Sequence, residues 1–163
     1  MREAQLQQDG QVRELRLEHL RWRRERRQLA YLDLLTDLSS ADRANQQLFR
    51  ELVAESAPAP VVDDARLGEI RGLFKAAEHT ADQVVLEGPA AVAATASAVT
   101  AQLGVLVSEV RAFARAHADS APQEVEHRRF VEEAGQRFIQ ARTTFLESAR
   151  TALDEVLDGC QPT

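Results

Sequence analysis

The sequence predicts an all-α protein: a mainly antiparallel four-helix bundle with a long, protruding N-terminal helix. Three observations carry that expectation. Apolar residues recur at gaps of three, four and seven, the spacing of one helix face, and no stretch sustains the alternation of a strand. Proline-bearing segments interrupt the periodic runs at three places. The first run is also far longer than the second.

The first helix is expected from about residue 5 to about Glu55. Tyr31, Leu34, Leu35, Leu38, Ala41, Leu48, Phe49 and Leu52 form the stripe of its distal half. "SAPAPVVDD" ends it, because each proline removes a donor and biases its predecessor out of the helical region. Asp63 or Asp64 offers an N-cap for a second helix over about residues 65 to 83. Its stripe is Leu67, Ile70, Phe74, Ala77, Ala81 and Val84, and Gly68 and Gly72 suggest close approach of a neighbour. "VVLEGP" reads as a short extended connection, with Pro89 where a helix can start.

The third helix, about residues 89 to 117, has the cleanest pattern: Val92, Ala96, Val99, Leu103, Leu106, Val110 and Phe113. "SAPQ" then provides Ser120 as N-cap, Pro122 in the first turn and Gln123 at the capping-box position. The fourth helix runs from about residue 121 to 158. Val131, Phe138, Phe145 and Ala152 repeat every seven residues, joined by Ala134, Ala141 and Ala149, with Gly159 as C-cap. The expected core is Leu35, Leu38, Phe49, Leu52, Ile70, Phe74, Val99, Leu103, Leu106, Val110, Phe113, Phe138 and Phe145.

The lengths do not match. At the rise of an α-helix the first would span roughly 75 Å and the second roughly 30 Å. The first therefore overshoots the bundle. The implied organisation is a basic helical extension over residues 1–28, a bundle over 29–158 and a tail over 159–163.

The totals argue against several functions. The chain has 163 residues and a net charge of -6, whereas a protein that mainly grips phosphate backbones is usually basic overall. Nineteen of the 20 lysines and arginines are arginine, a usage typical of GC-rich bacterial genomes. Cys160 is the single cysteine, so no disulfide forms within one chain. The start, "MREAQLQQDGQVREL", lacks the apolar core of a signal peptide. A cytoplasmic location is expected, with membrane-peripheral attachment as the variant that lipid binding would require. Twenty-one residues between Glu87 and Glu109 carry no formal charge, enough to span a bilayer. They are mostly alanine with Thr, Ser and Gln, so a buried central helix is the preferred reading.

The segment "RWRRERRQLAYLDLL" concentrates the functional question. Residues 13 to 27 hold seven arginines and three glutamates, a local +4 that leaves about -10 on the rest. Arg21 and Glu25 stand at i,i+4 and form a candidate pair. Arg21, Trp22, Arg23, Arg24, Arg26 and Arg27 are the candidate partner-binding residues. A solvated helix that pairs with acidic residues, in this chain or another, is the first reading. An anionic lipid surface with Trp22 as anchor is the second, and nucleic acid the third. Val12, Leu15, His19, Trp22, Arg26 and Leu29 also keep a three–four spacing, a coiled-coil seam with two polar positions in six.

Other chemistry is sparse. Glu124 and His127 have the Glu-x-x-His spacing of di-iron bundles, but no second such pair occurs and metal binding is not expected. His79 with Asp82 is no stronger. "GEIRG" from Gly68 to Gly72 lacks the lysine and the preceding strand of a phosphate loop. Cys160 has no histidine fixed near it by sequence. Glu87, before Gly88-Pro89, reads as facing water rather than accepting backbone bonds. No catalytic residue, cofactor or small-molecule substrate is expected.

Three elements carry a resemblance. Trp22, Glu25, Arg26, Arg27, Tyr31 and Leu34 form a tryptophan, "ERR", tyrosine–leucine pattern. "VVLEGPAAV", with Gly88, Pro89 and Val92, is the second, and "FLESARTAL" from Phe145 to Leu153 is the third. Together they resemble a diffuse set of uncharacterised all-helical proteins of high-GC bacteria. The resemblance implies a helical fold and supplies no activity. Some of those proteins carry a membrane segment before the arginine-rich helix; the residues that precede it in this sequence are polar, so membrane anchoring is not among the expectations carried over. The expected role is a non-enzymatic scaffold or protein-interaction module, homo-oligomeric or bound to a partner protein. Binding to anionic surfaces is the runner-up, and an enzyme with a site invisible in sequence the weakest alternative.

Overall fold

The computed structural model describes residues 2–54, 64–119 and 122–158, with side chains over 10–54, 64–119 and 122–154. It contains α1 (Arg2–Val53), α2 (Asp64–Glu87), α3 (Ala90–Ala118) and α4 (Glu124–Asp158), with no strand among the described residues. The protein is an all-α four-helix bundle.

Cross-chain pairs give the direction of each helix. Arg27 of α1 meets the end of α2 at Glu87, and Glu51 meets its start at Arg66. Phe74 of α2 lies on Gly104 of α3. His117 near the end of α3 bonds Glu124 at the start of α4. The order is up, down, up, down. α1 and α3 each pack on the other three helices, while α2 and α4 lie on opposite flanks and do not meet. The rising α3 runs beside the rising α1, with Phe49 and Phe113 ring centres 5.5 Å apart.

The apolar periodicity builds this core. Phe113, Phe138 and Phe145 are fully buried, with Leu34, Leu38, Leu48 and Leu103 among them. Each such side chain contributes about 1.5–3 kcal/mol through burial. Leu35, Phe49 and Phe74, expected in the core, sit only partly buried at its margin. Leu34 takes the inner position beside Leu35. α3 is long and apolar enough to cross a membrane by length and composition. In the bundle, its seam from Val92 to Phe113 is buried against the other helices.

Several boundaries differ from the sequence reading. α2 does not become extended at "VVLEGP". Val84 continues the stripe of Ile70, Ala77 and Ala81 into the core, so tertiary burial outweighs the β-branched character of Val84 and Val85. The Gly88 amide donates to the Val84 carbonyl at 2.8 Å, and Pro89, with φ -66° and ψ 158°, opens α3. Asp64 is the first residue of α2, and Asp63 lies outside the described residues. The His127 amide donates to the Gln123 carbonyl at 3.0 Å, placing Gln123 at the cap of α4 rather than at the capping-box position. Ser120 and Gly159, read as caps, lie outside the described residues.

Gly68 and Gly72 do not mediate helix approach, since a Cβ at either would meet no atom within 4 Å. Gly104 does so instead: its Cβ position is 3.0 Å from the Phe74 ring. Gly88 is also constrained, because a Cβ would lie 2.8 Å from the Val84 carbonyl oxygen and 3.2 Å from the Tyr31 hydroxyl.

Tyr31 packs edge-on to Phe145 at 6.1 Å, and its buried hydroxyl has no hydrogen-bond partner among the described residues. An unmet buried hydroxyl costs more than it contributes. Tyr31→Phe is therefore expected to leave stability unchanged or raise it by about 1 kcal/mol. Urea unfolding measures this, and a loss above about 1 kcal/mol would show a bonded hydroxyl.

Candidate interaction surface

The bundle begins near Ala30. From Gly10 to Leu29 every residue of α1 is exposed except Arg24 and Arg27, which are partly buried. The segment projects because α2 ends at Glu87, level with Arg26 and Arg27, and among the described residues no further element follows α1 outward.

Apolar side chains line this bare helix. Leu15 is 65% exposed, Trp22 55% and Leu29 58%. They share the three–four seam with Val12 and His19. The His19 ring stacks on Trp22 at 5.9 Å. Leu29 continues the apolar strip toward Leu86 at the end of α2, which is 84% exposed and shares a shallow hollow with it.

The six candidate residues divide into two groups. Arg26 and Arg27 are tied to the bundle. Arg26 pairs with Glu87 at 3.2 Å, and the Arg27 Nε donates to the Glu87 carbonyl at 2.9 Å. α2 has no basic residue in its own last turn, so these two arginines supply the cations that its negative dipole end favours. The Arg26 guanidinium also lies 5.8 Å from the Trp22 ring centre. Glu87 therefore does not simply face water: it is half-buried and holds α1 to α2. Arg21, Trp22, Arg23 and Arg24 lie beyond this clasp. The i,i+4 pair of Arg21 with Glu25 does not form, and Arg21, Arg23 and Arg24 have no ion-pair partner among the described residues.

The remaining candidates lead elsewhere. Glu124 turns away from His127 and bonds His117 Nδ1 at 2.7 Å, fastening the α3–α4 turn. Among the described residues no group of three or more His, Cys, Asp or Glu is placed to hold a metal. His79 lies 3.4 Å from the Gln83 amide. Cys160 lies outside the described residues.

Between α1 and α4, Arg142 donates to the Ser39 hydroxyl at 3.1 Å. Beyond it the two helices part, leaving a shallow groove between Asp42 and Phe49 on one side and Val131 and Ile139 on the other. Burial pushes the Asp42 carboxyl above the usual range, opposed by the Gln46 amide and by Arg142.

The fold and this surface together define a four-helix bundle with a basic arm that no other element covers among the described residues. Comparison with protein-family models, curated proteins and solved structures gives no match.

The Asp42 environment generates a pH prediction. A raised carboxyl holds its proton more readily folded than unfolded. Its contribution is most favourable below the unfolded value and is lost as pH rises through the folded value. Asp42→Asn should therefore gain stability relative to wild type between pH 3 and pH 7, read by thermal melts. A difference that shrinks over that interval would contradict the burial.

Proposed function

We propose that the protein is a non-enzymatic helical scaffold that self-associates through α1, two copies pairing side by side in the same direction. The exposed apolar seam of the arm is the single observation that carries this reading. A helix without tertiary contacts is marginal in water, and most helical stability in proteins comes from burying an apolar face. Leu15, Trp22 and Leu29 offer such a face and find no partner for it among the described residues.

Charge selects the direction. With Val12, His19 and Arg26 at the a positions and Leu15, Trp22 and Leu29 at d, the e positions are Arg16, Arg23 and Ala30 and the g positions Gln11, Glu18 and Glu25. In a parallel pair Glu18 faces Arg23 of the other copy, twice, and Gln11 faces Arg16. In an antiparallel pair centred on His19 and Trp22, Glu18 faces Glu25 and Arg16 faces Arg23. The first arrangement attracts and the second repels. The contact of Arg26 with Glu87 draws that guanidinium toward α2 and offsets the charge it would bring to the seam. Polar groups at two a positions make the pairing weak, at a cost in stability typical of such devices.

A second reading rests on Arg21, Arg23 and Arg24, whose charges have no ion-pair partner among the described residues. They would suit an anionic surface of nucleic acid or acidic lipid. Steep salt dependence on random duplex DNA, lost on neutralising arginines 23, 24, 26 and 27, would favour nucleic acid. Flotation with anionic but not neutral liposomes would favour lipid.

Self-association predicts a solution mass of twice 18.1 kDa by analytical ultracentrifugation at high concentration. The double variant Leu15→Glu, Trp22→Glu should be monomeric with an unchanged melting transition of the bundle. Deleting residues 1–28 should also give a monomer with a folded bundle, its melting transition lowered slightly because the Arg26 and Arg27 contacts with Glu87 go with the arm. A monomeric mass for the wild type at every concentration would sink the proposal.

A further inference from the structure

We propose a second site, independent of the arm: the cleft between α2 and α3 binds an amphipathic organic anion of one negative charge. The cleft has a volume of about 590 Å³, within the range of small-molecule sites. Leu67, Ile70, Val107 and Val110 line its walls, and Phe74, held against Gly104, bounds one end. The lining is that of an apolar ligand body.

Asn45 of α1 lines this cleft and also the groove between α1 and α4, so it stands between the two. The residue is 1% exposed. Its Nδ2 donates to the Ala41 carbonyl at 2.8 Å, but its Oδ1 is buried without a partner. A buried acceptor without a donor is unfavourable, and such a group in a native core calls for an explanation. An N–H or O–H on a ligand in this cleft would satisfy it.

The rim supplies the charge. Arg71 of α2 and Arg111 of α3 line the cleft, and neither has an ion-pair partner among the described residues. The Arg111 Nε is itself buried and unpartnered. Lys75, by contrast, is engaged by Glu78 at 2.6 Å. Asp64 stands on the same rim, which favours a monoanion over a dianion. Gly68 lines the cleft too, and the absence of any atom within 4 Å of its Cβ position leaves the rim open there. The recognised molecule therefore combines three features: a carboxylate or sulfonate, an apolar body, and one hydrogen-bond donor.

The dye 8-anilino-1-naphthalenesulfonate has all three and serves as the test ligand. Fluorescence titration of the full chain should show saturable binding of one dye per chain. Gly68→Leu adds its side chain at the open rim, where a Cβ meets no atom within 4 Å, and improves helix propensity. It should weaken binding at least tenfold while the melting temperature holds or rises. The double variant Arg71→Gln, Arg111→Gln should weaken the anionic dye at least tenfold and leave the uncharged N-phenyl-1-naphthylamine within about twofold. Leu15→Glu, Trp22→Glu should leave the dye affinity unchanged, separating this cleft from the arm. Absence of saturable binding would overturn the site, as would equal affinity in Gly68→Leu. Equal loss of both dyes in the arginine variant would overturn the assignment of charge recognition.

Discussion

The structure depends on the burial of α3. Its seam from Val92 to Phe113 is apolar, and three helices cover it. α1 and α3 both touch the other three helices, which leaves α2 and α4 on opposite flanks, and the up-and-down order sets α1 and α3 in the same direction. The bundle ends near Ala30 of α1, with α2 stopping at Glu87. The protruding arm is thus a consequence of unequal lengths around one buried helix. It is also where the molecule concentrates its positive charge.

The clasp at Glu87 links the arm to that core. One carboxylate and one carbonyl hold Arg26 and Arg27, so the helix leaves the bundle from a defined anchor. An exposed ion pair of this kind contributes about 0–1 kcal/mol. Its larger effect is positional: it fixes where the solvated part of α1 begins and how Trp22 and Leu29 are presented. The apolar seam and the charge order at its edges are then displayed on a helix of known direction.

Periodicity made the fold legible. The stripes of α1, α3 and α4 are local patterns, and a helix that repeats Val131, Phe138 and Phe145 can bury them on only one face. The site was legible as a segment but not as a geometry. Glu87 meets Arg26 across 61 residues, and no spacing rule announces that contact. Glu124 pairs with His117 for the same reason, although His127 stood at the more suggestive interval. Glycine spacing misled for a different cause: Gly68 and Gly72 signal missing side chains, and only the fold decides whether a neighbour fills the space. Asn45 fills the skipped position of the α1 stripe between Ala41 and Leu48, but its polar side chain masked the periodicity, and its unmet oxygen depends on helices that pack from elsewhere in the chain.

The central claim is that two copies align through α1 in parallel, and disulfide trapping tests it directly. In a Cys160→Ser background, Leu15→Cys puts a thiol on the seam and Leu17→Cys puts one on the outer face. In a parallel pair the two position-15 thiols face each other within bridging distance. Mild oxidation should then give a covalent dimer quickly at position 15 and slowly, if at all, at position 17. No dimer at position 15, or equal rates at both positions, would contradict the account.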